Sequence, residues 1–103
     1  MLTSEARVPT PSGARYAKQL CGHMGHRVRT EWTPPDGVIE FPDGGSCHLT
    51  ATQDALLLTL RADQPGTLDR MRTLVAVHLE RFGRRDGLTV DWSEARVTGP
   101  PVA

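Results

Sequence analysis

From Val28 to Leu60 the chain falls into short runs with a period of two, separated at Pro34-Pro-Asp-Gly37, at Pro42-Asp-Gly-Gly45 and after Thr52. Successive strand residues point to opposite faces, so a period of two predicts strands with one buried side. Val28, Thr30 and Trp32 share a face opposite Arg29 and Glu31. A second strand is predicted over Val38 to Phe41. A third spans Ser46 to Thr52, with Cys47, Leu49 and Ala51 inward and His48, Thr50 and Thr52 outward. A fourth covers Ala55 to Arg61, with Leu56, Leu58 and Leu60 on one face. Connections this short favour antiparallel neighbours.

On both sides of this region the period becomes helical. Tyr16, Leu20 and Met24 repeat every four residues beside Ala17 and Cys21. They predict a helix that begins near Thr10 or Ser12 and frays at Gly22 and Gly25. A longer helix runs from Pro65 to about Phe82, its apolar stripe made by Leu68, Met71, Leu74, Val75, Leu79 and Phe82, with Gly83 as its stop. Glu5 to Val8 suits a short strand and Leu88 to Trp92 a last one, while Gly99-Pro-Pro101 reads as a loose tail. The expected fold is an α+β two-layer sandwich, a mainly antiparallel sheet of about five strands with two amphipathic helices on one face. One domain is expected over residues 1–103, with an ordered core at about 6–92 and loose termini. Ser4-Glu-Ala-Arg-Val8 returns as Ser93-Glu-Ala-Arg-Val97, too short an echo for a repeat architecture, and it is read as coincidence.

Twelve basic residues balance twelve acidic ones, so no broad field is expected to draw nucleic acid or an anionic membrane. No apolar run reaches membrane-spanning length, and the N-terminus lacks the basic-then-apolar pattern of a signal peptide. The expected location is the cytoplasm, where Cys21 and Cys47 stay reduced.

Chemistry-bearing residues gather in Cys21-Gly-His23-Met-Gly-His26 and Cys47-His48. Thiolate and imidazole are common ligands of transition metals, which makes Cys21, His23, His26 and Cys47 the candidate metal set. Geometry narrows it. Helical neighbours turn by about 100°, so Cys21 and His23 point apart, while His23 and His26 are neighbours only if the helix passes Gly25. Cys47 faces inward with Leu49, and His48 faces away. The most coherent subset is Cys21 with Cys47, with His23 as a third member, where the first helix crosses the third predicted strand. The competing reading is two buried thiols and surface histidines, and it ranks first. His78 lies beside the apolar stripe of the long helix, where a hydrogen-bonded structural histidine is the usual finding. Tyr16 belongs to the core with its hydroxyl at the rim, and the alternative use of that hydroxyl is as an acid; Tyr16 and His78 are the two further candidate functional residues.

Arg81, Arg84 and Arg85 suit a phosphate or carboxylate, although charge at a helix C-terminus explains them as well. Leu57, alone and apolar on the outer sheet face, and Val77 on the polar side of the long helix are the places to seek a protein partner. No phosphate loop, nucleophile elbow or paired-carboxylate arrangement stands out.

Arg15-Tyr-Ala-Lys-Gln-Leu-Cys-Gly-His23 with His26, Ile39-Glu-Phe-Pro-Asp-Gly-Gly-Ser-Cys47, and His78-Leu-Glu-Arg-Phe82 followed by Leu88-Thr-Val-Asp-Trp92 resemble an uncharacterised bacterial domain-of-unknown-function family of about this length. The resemblance spans roughly Ala6 to Trp92. It implies no established activity, but members are met near siderophore uptake and siderophore-interacting flavoproteins. What importance the family carries falls on Tyr16 to His26, Phe41 to Cys47 and His78 to Phe82. The leading expectation is a small non-enzymatic accessory protein of iron or siderophore physiology, partnered by a second copy or by a siderophore-interacting protein. The alternative is a small redox or metal-dependent enzyme using Cys21, Cys47 and His23.

Overall fold

The computed structural model describes residues 1–97; the Gly99-Pro-Pro101 tail lies outside them. Its elements are β1 (Leu2–Pro9), α1 (Gly13–Met24), β2 (Arg29–Thr33), β3 (Asp36–Phe41), β4 (Gly45–Ala51), β5 (Ala55–Ala62), α2 (Pro65–Phe82), a 3₁₀ turn over Arg84–Asp86, and β6 (Arg96–Val97). The strands form one antiparallel sheet in the order β2-β3-β4-β5-β1-β6. Both helices pack on its apolar face, giving the α+β two-layer arrangement. No helix among the described residues is long and apolar enough to cross a membrane.

Register explains the burial. Ile39 pairs with Cys47, and Cys47 with Leu60; Gly37 pairs with Leu49, and Leu49 with Leu58. These side chains fall in rows on one face and are closed off by Tyr16, Ala17, Leu20, Cys21 and Met24 from α1 and by Leu68, Met71, Val75 and Leu79 from α2. Each leucine buried this way stabilises the fold by about 1.5–3 kcal/mol. The opposite face carries His48 between Val38 and Thr59, the ion pair of Arg29 with Glu40 at 3.8 Å, and Leu57, still 38% exposed. Val77 is exposed on α2. Glycine is needed where α1 comes closest to the sheet, because a Cβ on Gly37 would stand 3.2 Å from Cys21 Sγ and 3.0 Å from Trp32 Cε3.

Three expectations change. The N-terminus is not loose: β1 begins at Leu2 and pairs along its whole length with β5, so the sheet has six strands. Leu88 to Trp92 is not a strand. Leu88 and Val90 are buried and alternate with exposed Thr89 and Asp91, the period of two that a strand would have. The backbone, however, bonds back toward α2. Leu88 N–H donates to the Gly83 carbonyl at 3.0 Å and Val90 N–H to the Glu80 carboxylate at 2.9 Å, while the Trp92 indole donates to the Arg72 carbonyl at 3.0 Å.

The second copy of the five-residue echo also has a place in the sheet, antiparallel beside Leu2 to Glu5, so that it meets only the start of the first copy. Leu2 faces Val97, Thr3 faces Arg96, and Arg96 pairs with the Glu5 carboxylate. Ser93 joins the two copies: its N–H donates to the Glu5 carbonyl at 2.7 Å, its hydroxyl accepts from Glu5 N–H at 2.9 Å, and its carbonyl accepts from the Ser4 hydroxyl at 2.7 Å. Arg72 of α2 donates to the Ser4 hydroxyl at 3.2 Å and to the Ser93 carbonyl at 3.0 Å, tying helix to edge.

Gly83 ends α2, and a Cβ there would stand 2.5 Å from Leu88 Cβ. Gly83→Ala is expected to destabilise the fold by about 1–3 kcal/mol, because the Leu88 backbone has to give way. Urea unfolding at unchanged m-value reads this loss, and a midpoint equal to wild type would show that the close approach is dispensable.

Candidate functional site

The thiols occupy the place predicted for them, without the histidine. Cys21 on α1 packs over Gly37 of β3, and Cys47 lies one row away on β4; both are free and buried. Burial raises both thiol pKa values, and for Cys47 the nearby Cys21 raises it further, well beyond the ordinary thiol range. A thiol held protonated is a poor nucleophile and a poor metal ligand.

His23 points from the other side of α1 toward α2. Its ring stands 4.7 Å from that of His78 and 5.9 Å from that of Phe82, centroid to centroid. Although α1 stops at Met24, His26 lines the same hollow as His23 and His78. The candidate residues are spread over three places: Cys21 and Cys47 lie between α1 and the sheet, His23 lies on the flank of α1 with His26 in the turn after it, and His48 is on the outer sheet face. Among the described residues, no three His, Cys, Asp or Glu side chains are placed to hold a metal ion. His78 is hydrogen-bonded as expected, Nδ1 donating to the Leu74 carbonyl at 2.7 Å.

A cluster of polar groups forms where the end of α2 meets the start of α1. Gly83 stops the helix, the 3₁₀ turn carries Arg84, Arg85 and Asp86, and Gly87 at φ 66° reverses the backbone in the left-handed region that glycine tolerates. The turn lays Asp86 against α1, where its carboxylate accepts a hydrogen bond from the Tyr16 hydroxyl. Arg15 stands 3.7 Å from Asp86, and its guanidinium carbon lies 5.0 Å above the Tyr16 ring. Together with Gln19, Arg81, Phe82, Arg84 and Arg85 these residues line a cleft of about 600 Å³. Four arginines thus face one carboxylate, which is already engaged by Tyr16 and Arg15. Arg81, Arg84 and Arg85 have no ion pair among the described residues. The arrangement is suited to holding an anion by charge-assisted hydrogen bonds.

Tyr16 is therefore a core residue with its hydroxyl at a polar rim. Sequence reasoning marked the arginines at 81, 84 and 85 but missed Arg15, Gln19 and Asp86. The one signal for them was the four-residue spacing of Arg15 and Gln19 on one flank of α1, beside Tyr16.

These environments have two measurable consequences. The hydrogen bond to Asp86, then burial, raise the Tyr16 pKa above that of a free phenol. Tyr16 is the sole tyrosine, so its phenolate absorbance alone reports the titration, and Asp86→Asn should move the midpoint down. Because the folded value is the higher one, the stability from this contact is complete below the free-phenol pKa and disappears as pH rises through the folded value. A midpoint unchanged in Asp86→Asn would remove Asp86 as the cause. Separately, a disulfide reagent should modify neither Cys21 nor Cys47 until the protein is unfolded; rapid modification of the native protein would contradict their burial.

Comparison with known proteins places this geometry in a family. A family described as an uncharacterized protein conserved in bacteria (DUF2218) matches residues 5–93, a stretch that stops before β6. A search of curated proteins found no match. Among solved structures, the NMR structure of PA4090 from Pseudomonas aeruginosa is similar at 38% identity, covering 90% of this chain and 96% of that one with a TM-score of 0.77. The match over most of the chain, in sequence and in fold, means that this protein belongs to the DUF2218 family of bacterial proteins.

Proposed function

We propose that this protein is a small non-catalytic binding protein of the cytoplasm, which holds an anionic ligand in the arginine cleft as an accessory to iron or siderophore physiology. The observation that carries the reading is the charge of the cleft. Arg15, Arg81, Arg84 and Arg85 line it, and its one acid is occupied by Tyr16 and Arg15. The resemblance to a family met near siderophore uptake suggests a carboxylate-rich iron chelate as the first ligand to try. The alternative, a redox or metal-dependent enzyme using Cys21, Cys47 and His23, has less support. Burial raises both thiol pKa values, and His23 stands against His78 and Phe82 of α2.

Isothermal titration with citrate and with ferric citrate tests the reading. Saturable binding is expected, weakened at least tenfold in Arg81→Ala/Arg85→Ala, since losing one charge-assisted hydrogen bond costs about 1.5–3 kcal/mol. Equal affinity in the double variant, or no saturable binding to wild type, would overturn it.

A further inference from the structure

Phe82 separates the arginine cleft from a second hollow of about 430 Å³ farther along the seam between α1 and α2. The two share no lining residue, so a ligand in the second hollow is recognised independently of the arginine cleft. The walls of the second hollow are apolar: Met24, Val28, Phe41 and Leu74, all packed against the core. Its polar groups are few and come from two elements. The turn after α1, in which Arg27 and Val28 N–H both donate to the Met24 carbonyl at 3.0 Å, brings His26 and Arg27 to the wall. His23 and His78 complete it, ring beside ring.

An apolar hollow of this volume with a few convergent polar groups has the character of a small-molecule site. The polar groups define the occupant. Arg27 has no ion pair among the described residues, and no carboxylate lines the hollow, so an anion is favoured. His78 donates through Nδ1 to the Leu74 carbonyl, which leaves Nε2 of the neutral ring as an acceptor for a hydroxyl. The rings of His23, His78 and Phe41 and the thioether of Met24 favour a flat aromatic body.

From these groups we infer that the hollow is a binding site for a small hydroxylated aromatic carboxylate. The ring packs on Phe41, Leu74 and Met24, the carboxylate pairs with Arg27, and the hydroxyl donates to His78. Arg27 supplies charge recognition, and His78 selects for the hydroxyl.

4-Hydroxybenzoate is the probe, because its hydroxyl is too far from its own carboxylate to bond to it, with benzoate as the analogue lacking the hydroxyl. Titration of the protein is followed by the methionine methyl resonances, because Met24 lines the hollow whereas Met1 and Met71 do not. Saturable 4-hydroxybenzoate binding should shift the Met24 methyl and leave the other two in place. His78→Leu should weaken 4-hydroxybenzoate about tenfold, the value of one hydrogen bond, while benzoate binds wild type and variant alike. Equal benzoate binding also shows that the hollow survives the substitution. Arg27→Met, at an exposed position, should weaken both ligands about tenfold or more. The inference is overturned by absence of saturable binding, by binding that leaves the Met24 methyl unmoved, or by 4-hydroxybenzoate affinities unchanged in both variants.

Discussion

Burial of Leu56, Leu58 and Leu60 on the central strand β5 determines where the other functional groups can lie. These residues alternate, so one face of the strand is apolar, and both helices have to cover that face. Two helices on one face meet along a seam. On the seam the sheet-facing residues of α1 and α2 give way to flanking ones, Arg15, Gln19 and His23 on one side and Leu74, His78, Arg81 and Phe82 on the other. Both cavities lie there, at opposite sides of Phe82. The outer face of the sheet offers paired charges and threonines instead.

A formal net charge of zero conceals how the charges are distributed. On and around the sheet they neutralise one another in pairs, Arg29 with Glu40, Arg7 with Asp54 and Arg96 with Glu5. Such exposed pairs add about 0–1 kcal/mol each to stability. At the end of α2, Asp86 pairs with Arg15, but Arg81, Arg84 and Arg85 have no ion pair among the described residues. Arginines there are placed favourably near the negative helix end, and the turn through Gly83 and Gly87 folds them over α1 so that they surround a cleft. A broad field that would attract nucleic acid is absent from the charge balance, yet a local one of the size of a small anion is present.

The periods of the sequence were sufficient to separate Cys21 from His23 and Cys47 from His48. Cys21 and His23 are on different sides of α1, and Cys47 and His48 on different faces of the sheet, as the helical and strand repeats require. Periodicity failed at Leu88 to Trp92 for a specific reason. Alternating burial reports an extended backbone with one side covered, and it is silent about where the amides bond; here they turn to Gly83 and Glu80. The echo of Ser4 to Val8 in Ser93 to Val97 was visible but uninterpretable, because pairing of segments so far apart has no local signature.

What the amino-acid sequence determined by itself is what depends on neighbours along the chain: the two amphipathic helices, the antiparallel strands with their buried faces, the turns at proline and glycine, and the inward direction of both cysteines. Tertiary structure alone decided which flanks face each other. Tyr16 meets Asp86, His23 meets His78, and Arg15 joins Arg81 to Arg85 only because both helices are forced onto one side of the same leucine face. Those meetings involve residues dozens of positions apart, and their cause is the shared burial of two apolar stripes rather than any pattern written in either helix.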